Sequence, residues 1–214
     1  MNLKNIYKTR FNNIEERKSI WKVLVKDFFQ KFINDDEVVL DIACGYGEFI
    51  NEINCGKKYA IDLNSDSAKY LNKSITFYCQ SSTKIKSIKD NFIDKIFISN
   101  FFEHLAREDI NLTIKECHRV LKKGGQILIL QPNIRFCAND YWMFFDHVTP
   151  IDDRAIEEVF SSHGFQLKKR ILRFLPFTTK SNLPKSSIFI KIYLGLPFLW
   201  RFFGQQSFLL FEKL

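Results

Sequence analysis

The stretch Val38-Val39-Leu40-Asp41-Ile42-Ala43-Cys44-Gly45-Tyr46-Gly47-Glu48-Phe49-Ile50 decides the fold. Val38 to Ile42 is a short apolar run interrupted only by Asp41, as expected of a strand covered on both faces of a parallel sheet. Glu48 to Ile53 reads as a helix. The result is a strand, glycine turn and helix in which backbone can approach a nucleotide closely, because Gly45 and Gly47 carry no side chain. A pyrophosphate-binding turn would place a third glycine near Ile50. Here Phe49 and Ile50 fill that stretch and Asp41 stands before the turn, which favours a ligand with a cationic amino-acid end. A glycine pair taken alone is equally the mark of a plain tight turn. Asp62 lies fifteen residues after Gly47. It ends a second strand, where a carboxylate can accept hydrogen bonds from two ribose hydroxyls. The alternative for Asp62, shared with Asn64, is the N-cap of the helix that follows.

Outward from this unit, strand and helix patterns alternate. Ile20, Trp21, Val23, Leu24, Phe28 and Phe32 recur near helical spacing within Ile14 to Ile33, which predicts an amphipathic helix packed on a sheet. Asn34-Asp35-Asp36 ends it. Further strands are expected at Lys58 to Ile61, Ile75 to Cys79, Lys95 to Ser99 and Gly125 to Leu130. Helices are expected at Ser65 to Leu71 and Asn111 to Leu121, with a turn at Lys122-Lys123-Gly124-Gly125. This alternation means an α/β fold with a doubly wound, mostly parallel sheet. After Pro132 the rhythm changes: Asn133 to Pro150 is aromatic and polar without a clear period, as in an active-site loop or cover. Arg154 to His163 reads as a helix closed by Gly164, and Phe165 to Phe174 as a strand ended by Pro176. Ser187 to Phe203 is apolar and broken at Gly195 and Pro197, and Gln206 to Phe211 makes a last strand.

With 214 residues and 46% hydrophobic content, the chain can bury one substantial core, and a single domain over 1–214 is expected. Within it, 1–34 is an N-terminal helical region and 133–214 an acceptor-side loop followed by a basic C-terminal region. Five cysteines without C-x-x-C spacing, an odd number, point to a reducing cytoplasm. Met1 to Arg10 is basic but precedes no apolar stretch, which argues against a secretory signal, and no apolar run is long enough to span a bilayer. The net charge of +8 resides after position 167, where nine basic residues face the single acid Glu212. A basic partner-binding surface, if present, belongs there; an ordinary solvated face is the alternative.

Four stretches in order, Val38 to Ile50, Ala60 to Asp66, Phe92 to Leu105 and Cys117 to Pro132, resemble successive motifs of the class I S-adenosylmethionine-dependent methyltransferases. They include the acid before the glycine turn, the ribose acid, the strand Phe92-Ile93-Asp94-Lys95-Ile96 and the turn before strand five. The resemblance implies a Rossmann-like sheet of about seven strands with an antiparallel C-terminal strand. It implies S-adenosylmethionine as cofactor, with Asp41, Ala43, Cys44, Gly45 and Gly47 around its methionine end, Asp62 on ribose and Leu63 beside adenine. The family often places an acid after strand three; here Gln80-Ser81-Ser82 stands instead, leaving Ser81 and Ser82 as contacts by hydroxyl. Asn100 and Phe101 would line the pocket beside the sulfonium, and Glu103-His104-Leu105 resembles the E-H-L run of small-molecule methyltransferases.

Methyl transfer from a sulfonium asks the protein to position an acceptor and take its proton, and demands no metal. His104 and His147 fall in segments expected near the cofactor mouth, and either can act as general base, with a hydrogen-bonded wall as the structural alternative. His118 and His163 read as structural. Arg173 to Ser181, Leu183-Pro184 and Tyr193 to Pro197 also resemble a bacterial subgroup associated with surface-polysaccharide gene sets, which implies O-methylation of a small molecule, a glycan or a lipid-linked sugar. Ile188, Phe189, Ile192, Leu196, Leu199, Trp200 and Phe203, with Lys185, Lys191 and Arg201 at the margin, form a face that suits the inner membrane surface, a dimer or the sheet. A nucleic-acid methyltransferase is disfavoured because Asn100-Phe101-Phe102-Glu103 stands where an N-P-P-Y motif would. A nicotinamide oxidoreductase lacks its complete fingerprint, and a non-catalytic cofactor-binding protein remains the third rival.

Overall fold

The computed structural model describes residues 14–177 and 187–214. Its strands are β1 (Val38–Ile42), β2 (Lys57–Asp62), β3 (Ile75–Cys79), β4 (Ile93–Ser99), β5 (Leu121–Pro132), β6 (Phe165–Ile171) and β7 (Gln206–Lys213). They form one sheet in the order β3-β2-β1-β4-β5-β7-β6. Pairing is parallel from β3 through β5, and β7 runs antiparallel to both of its neighbours. The seven-stranded, mostly parallel sheet with an antiparallel C-terminal strand is thus present.

The helices are α1 (Ile14–Asp27), α2 (Glu48–Glu52), α3 (Arg107–Val120), α4 (Ile134–Tyr141), α5 (Asp153–Ser162), α6 (Ser187–Gly195) and α7 (Pro197–Phe203). Strand alternation sorts the core into two layers. Leu40 and Ile42 of β1, Ile127 and Ile129 of β5, and Leu209 and Phe211 of β7 pack with Ile110, Ile114 and Cys117 of α3 and Ile156 and Phe160 of α5. Val39, Leu128, Leu130, Phe208 and Leu210 face the other way, against Leu24, Val25, Phe28 and Phe29 from the N-terminal region and Tyr193 of α6. Each fully buried Leu, Ile or Phe contributes about 1.5–3 kcal/mol, so the two layers fix the strand order on which the site depends. Asp41 occupies the register position after Val39 and Leu40 at the centre of the sheet, beside Ala60 of β2 and Phe97 of β4.

Several boundaries differ from expectation. The helix expected over Ile14 to Ile33 stops at Asp27 and continues as a 3-10 turn over Phe29–Phe32. The helix expected over Ser65 to Leu71 is a 3-10 helix over Ser65–Tyr70, capped by the Asn64 side chain. The stretch read as an irregular loop contains α4, started by the Asn133 side chain, which accepts from the Arg135 amide. β6 stops at Ile171, not at Phe174. Lys122 to Gly125 loops out of β5: Leu121 pairs with Ile93 and the next pair is Gln126 with Lys95. Lys185 and the segment from Thr178 to Ser186 lie outside the described residues. Among the described residues no helix is long and apolar enough to cross a membrane.

The sheet reverses its winding between β1 and β4, and the crevice beyond their C-terminal ends is where open α/β sheets bind ligands. The backbone is special at that point. Ala43 (φ 58°), Gly45 (φ 54°), Gly47 (φ 72°) and Asn100 (φ 47°) adopt left-handed conformations. For Ala43 and Asn100, which carry side chains, that conformation costs about 1 kcal/mol each, a strain typical of functional sites.

Candidate active site

The glycine turn is tied at both ends. The Cys44 amide donates to the Ile61 carbonyl at 3.1 Å and the Gly47 amide to the Cys44 carbonyl at 2.8 Å. Gly47 then starts α2. A Cβ at Gly47 would overlap the Leu71 side chain and stand 3.0 Å from Asn51 Nδ2, so the cradle exists only because that atom is missing.

Carboxylates surround this turn. Asp62 accepts from the Gly45 amide at 2.9 Å through one oxygen and from the Asn64 amide at 2.7 Å through the other. The helix cap is Asn64, whose side chain accepts from the Asp66 amide at 3.1 Å, so Asp62 is not the cap. Asp41 is 3% exposed. Burial holds its carboxyl well above the usual carboxylate range, with the negative charges of Glu48 and Asp62 adding to the effect and the Ile50 amide opposing it. Burial likewise raises the Asp62 carboxyl, against the backbone amides that lower it. Glu48, at the start of α2, is paired with Arg17 of α1 at 2.8 Å. Three carboxyl groups thus gather at the glycine turn, and a cationic group bound there would favour their ionised forms.

The remaining cofactor candidates divide. Leu63 follows Asp62 and is 62% exposed, available to a flat ring. Asn100 is exposed at the end of β4, its amide bonded to the Leu130 carbonyl at 2.8 Å, and Phe101 beside it is half-buried. The Ser81 hydroxyl is bonded to Thr83 at 2.8 Å. The Ser82 hydroxyl is buried against Thr113 of α3 at 2.9 Å, committed to the packing of the opposite layer.

The segments carrying His104 and His147 are joined by a short backbone pairing. The Val148 and Thr149 amides both donate to the Glu103 carbonyl, at 2.9 and 3.2 Å. Thr149 Oγ1 donates to the Leu105 carbonyl at 2.5 Å, and Tyr141 Oη to the Thr149 carbonyl at 2.6 Å. This clamp brings His147 to His104, with ring centroids 4.8 Å apart. His104 Nδ1 lies 3.1 Å from the Asp146 carbonyl and 3.3 Å from its carboxylate. Glu103 and His147 are buried, at 2% and 7% exposure, and His104 is half-buried. Asp146 and Glu103 were not among the expected site residues. Glu103 stands in the E-H-L run itself, whereas Asp146 has no sequence signal, since its role arises from the clamp.

His118 and His163 sit away from this cluster: His163 Nδ1 meets the Val159 carbonyl at 2.8 Å, and the His118 ring packs edge-on to Phe165. Part of the basic C-terminal excess is engaged locally. Lys213 Nζ donates to Asn91 Oδ1 and to the His118 and Leu121 carbonyls, Arg170 pairs with Asp153 and Glu157, and Lys168 pairs with Glu212.

Residues 40–129 match the family described as "Methyltransferase domain". The chain resembles a SAM-dependent methyltransferase from Archaeoglobus fulgidus, with a TM-score of 0.70 at 18% identity over 99% of this chain and 100% of that one. The PH0226 protein of Pyrococcus horikoshii superposes with a TM-score of 0.65 at 15% identity, over 96% and 94% of the two chains. In sequence, the uncharacterized protein MJ1252 of Methanocaldococcus jannaschii is 29% identical over 130 residues, which are 60% of this chain and 47% of that protein, so the match spans about half the length of that relative.

Proposed function

We propose, from the premise that this chain is an S-adenosylmethionine-dependent methyltransferase of the class I fold, that it O-methylates a sugar hydroxyl of a small molecule, a glycan or a lipid-linked precursor. Asp41 and the turn Ala43 to Gly47 hold the cationic amino-acid end of the cofactor, Asp62 the ribose, and Leu63 the adenine face. Asn100 and Phe101 border the reacting end. The cofactor supplies a methyl group already activated by its sulfonium. The protein's task is then to place the acceptor oxygen and remove its proton.

One observation carries the hydroxyl reading: the His104 imidazole is oriented by Asp146 through Nδ1, which leaves Nε2 with a lone pair directed to the cluster formed with Glu103 and His147. An imidazole so held accepts a proton from a hydroxyl at neutral pH. His147 is the second candidate base, walled by Tyr141, Phe144 and Phe177.

A lipid-linked acceptor is favoured by α6 and α7. Ile188, Phe189, Ile192, Phe198 and Phe202 are 49–70% exposed. The charged residues from 187 to 205 are Lys191 and Arg201, with no acid among them. An exposed apolar surface rimmed only by cations suits an anionic bilayer surface.

The test is transfer from methyl-labelled S-adenosylmethionine to fractions of polyprenyl-linked glycans, free oligosaccharides, total RNA and total protein. Label in a glycan fraction, lost in His104→Asn with S-adenosylhomocysteine affinity retained, is the expected outcome. Label in RNA or protein alone would overturn the acceptor assignment.

A further inference from the structure

We propose that Glu103, His104 and His147 form a site for a divalent first-row transition-metal ion that holds an oxygen of the acceptor; this replaces the imidazole base of the reading above and rests on that reading only for the acceptor. One ligand-type atom from each of the three lies within 4.8 Å of the others. His104 Nε2 is 3.9 Å from Glu103 Oε1, and the two imidazole planes are inclined at 76°. Atoms bound to one ion at about 2.0–2.2 Å lie about 3–3.5 Å from each other, so binding an ion requires the three side chains to draw about 1 Å closer.

The surroundings are those of a metal site. His104 Nδ1 is engaged by Asp146, the outer partner that fixes the tautomer of a metal-binding histidine and points its other nitrogen at the ion. The Glu103 carbonyl is fastened to Val148 and Thr149, so the ligands from the two segments are held in register before any ion arrives. Aromatic rings of Tyr141, Phe144 and Phe177 line the His147 side. His104, 22% exposed at the side chain, marks the open face.

Two imidazoles and one carboxylate suit Zn²⁺, Mn²⁺ or Fe²⁺ over Mg²⁺ and Ca²⁺, which prefer all-oxygen shells. Three protein ligands leave coordination positions for an outside oxygen, the pattern of catalytic sites, not structural ones. With the ion in place the imidazoles are ligands and the acceptor hydroxyl is polarised by the ion. Its O–H proton passes to water and its oxygen bonds the methyl carbon as that carbon's bond to sulfur breaks.

The experiment is calorimetric titration of the chelator-stripped full chain with Zn²⁺, Mn²⁺ and Mg²⁺ in separate runs. Saturable binding of a single Zn²⁺ or Mn²⁺, with Mg²⁺ much weaker, is expected. Affinity should fall by about 10- to 100-fold in Asp146→Asn, which removes only the outer partner. It should fall further in His104→Asn and remain unchanged in His163→Asn, each variant verified as folded by its S-adenosylhomocysteine affinity. No saturable binding by the folded wild type, or equal binding by His104→Asn, would overturn the site. If metal binding fails while glycan methylation persists in excess chelator, the imidazole-base reading stands alone. If the metal binds but glycans stay unlabelled, the site stands and the acceptor assignment falls.

Discussion

The two halves of the crevice are built by different means. Around the glycine turn, β1 and the end of β2 are shaped mainly by backbone: positive φ at Ala43, Gly45 and Gly47, and amides bonded to Asp62. Beyond β4, the His104 and His147 cluster exists because distant side chains and a short backbone clamp bring two segments together. The first half is local and tolerant of its flanks. The second depends on tertiary packing, and the same backbone can serve different acceptors by changing the loop between α4 and α5.

Substitutions that break only one half should separate them. The largest effect is expected at Gly47→Ala: left-handed backbone and overlap with Leu71 should together cost about 2–4 kcal/mol and abolish cofactor binding, read by thermal unfolding and ligand titration. His147→Ala should slow methyl transfer by about 100-fold while leaving S-adenosylhomocysteine affinity nearly intact. A matching loss of cofactor affinity would mean that the halves are one unit.

A smaller effect sharpens the electrostatic contrast. Because the folded state holds the Asp41 carboxyl above its usual range, the unfolded chain releases that proton first, and stability of the ligand-free protein falls as pH rises from the usual carboxylate range through the raised value. Asp41→Asn should remove this penalty, raising the ligand-free melting temperature at neutral pH by about 2–4 °C per kcal/mol recovered, and weaken cofactor binding. An unchanged pH profile of unfolding would show that Asp41 is not the source. The smallest effect is expected at Phe202→Ser, which should reduce cosedimentation with phosphatidylglycerol vesicles several-fold without altering methyl transfer to a soluble acceptor, since Phe202 is 70% exposed.

What was legible in the sequence follows the same division. Asp41, Gly45, Gly47 and Asp62 could be singled out from spacing, because a strand end and its turn are local structure, and the Gly45 amide is bonded to Asp62 in the fold. α4 was not legible. Cys137 inside it departs from helical geometry (φ −131°, ψ 28°), which breaks the apolar period. The segment is anchored by Asn133, whose side chain donates to Asp153 and Ser207, both remote in sequence. Ser82 illustrates the converse: a hydroxyl at a plausible contact position is used by Thr113 instead. The pairing of Glu48 with Arg17 and the approach of Asp146 to His104 also required the folded chain, since neither pair is close in sequence.

Calorimetric titration with S-adenosylmethionine and S-adenosylhomocysteine, with NADH as control, tests most directly the proposal that an adenosyl cofactor is seated between Asp41 and Asp62. Saturable binding of both adenosyl ligands is expected, reduced by about 100-fold or more in Asp62→Ala, as loss of hydrogen bonds to a charged group implies. Folded wild-type protein that binds neither adenosyl ligand, or binds NADH instead, would contradict it.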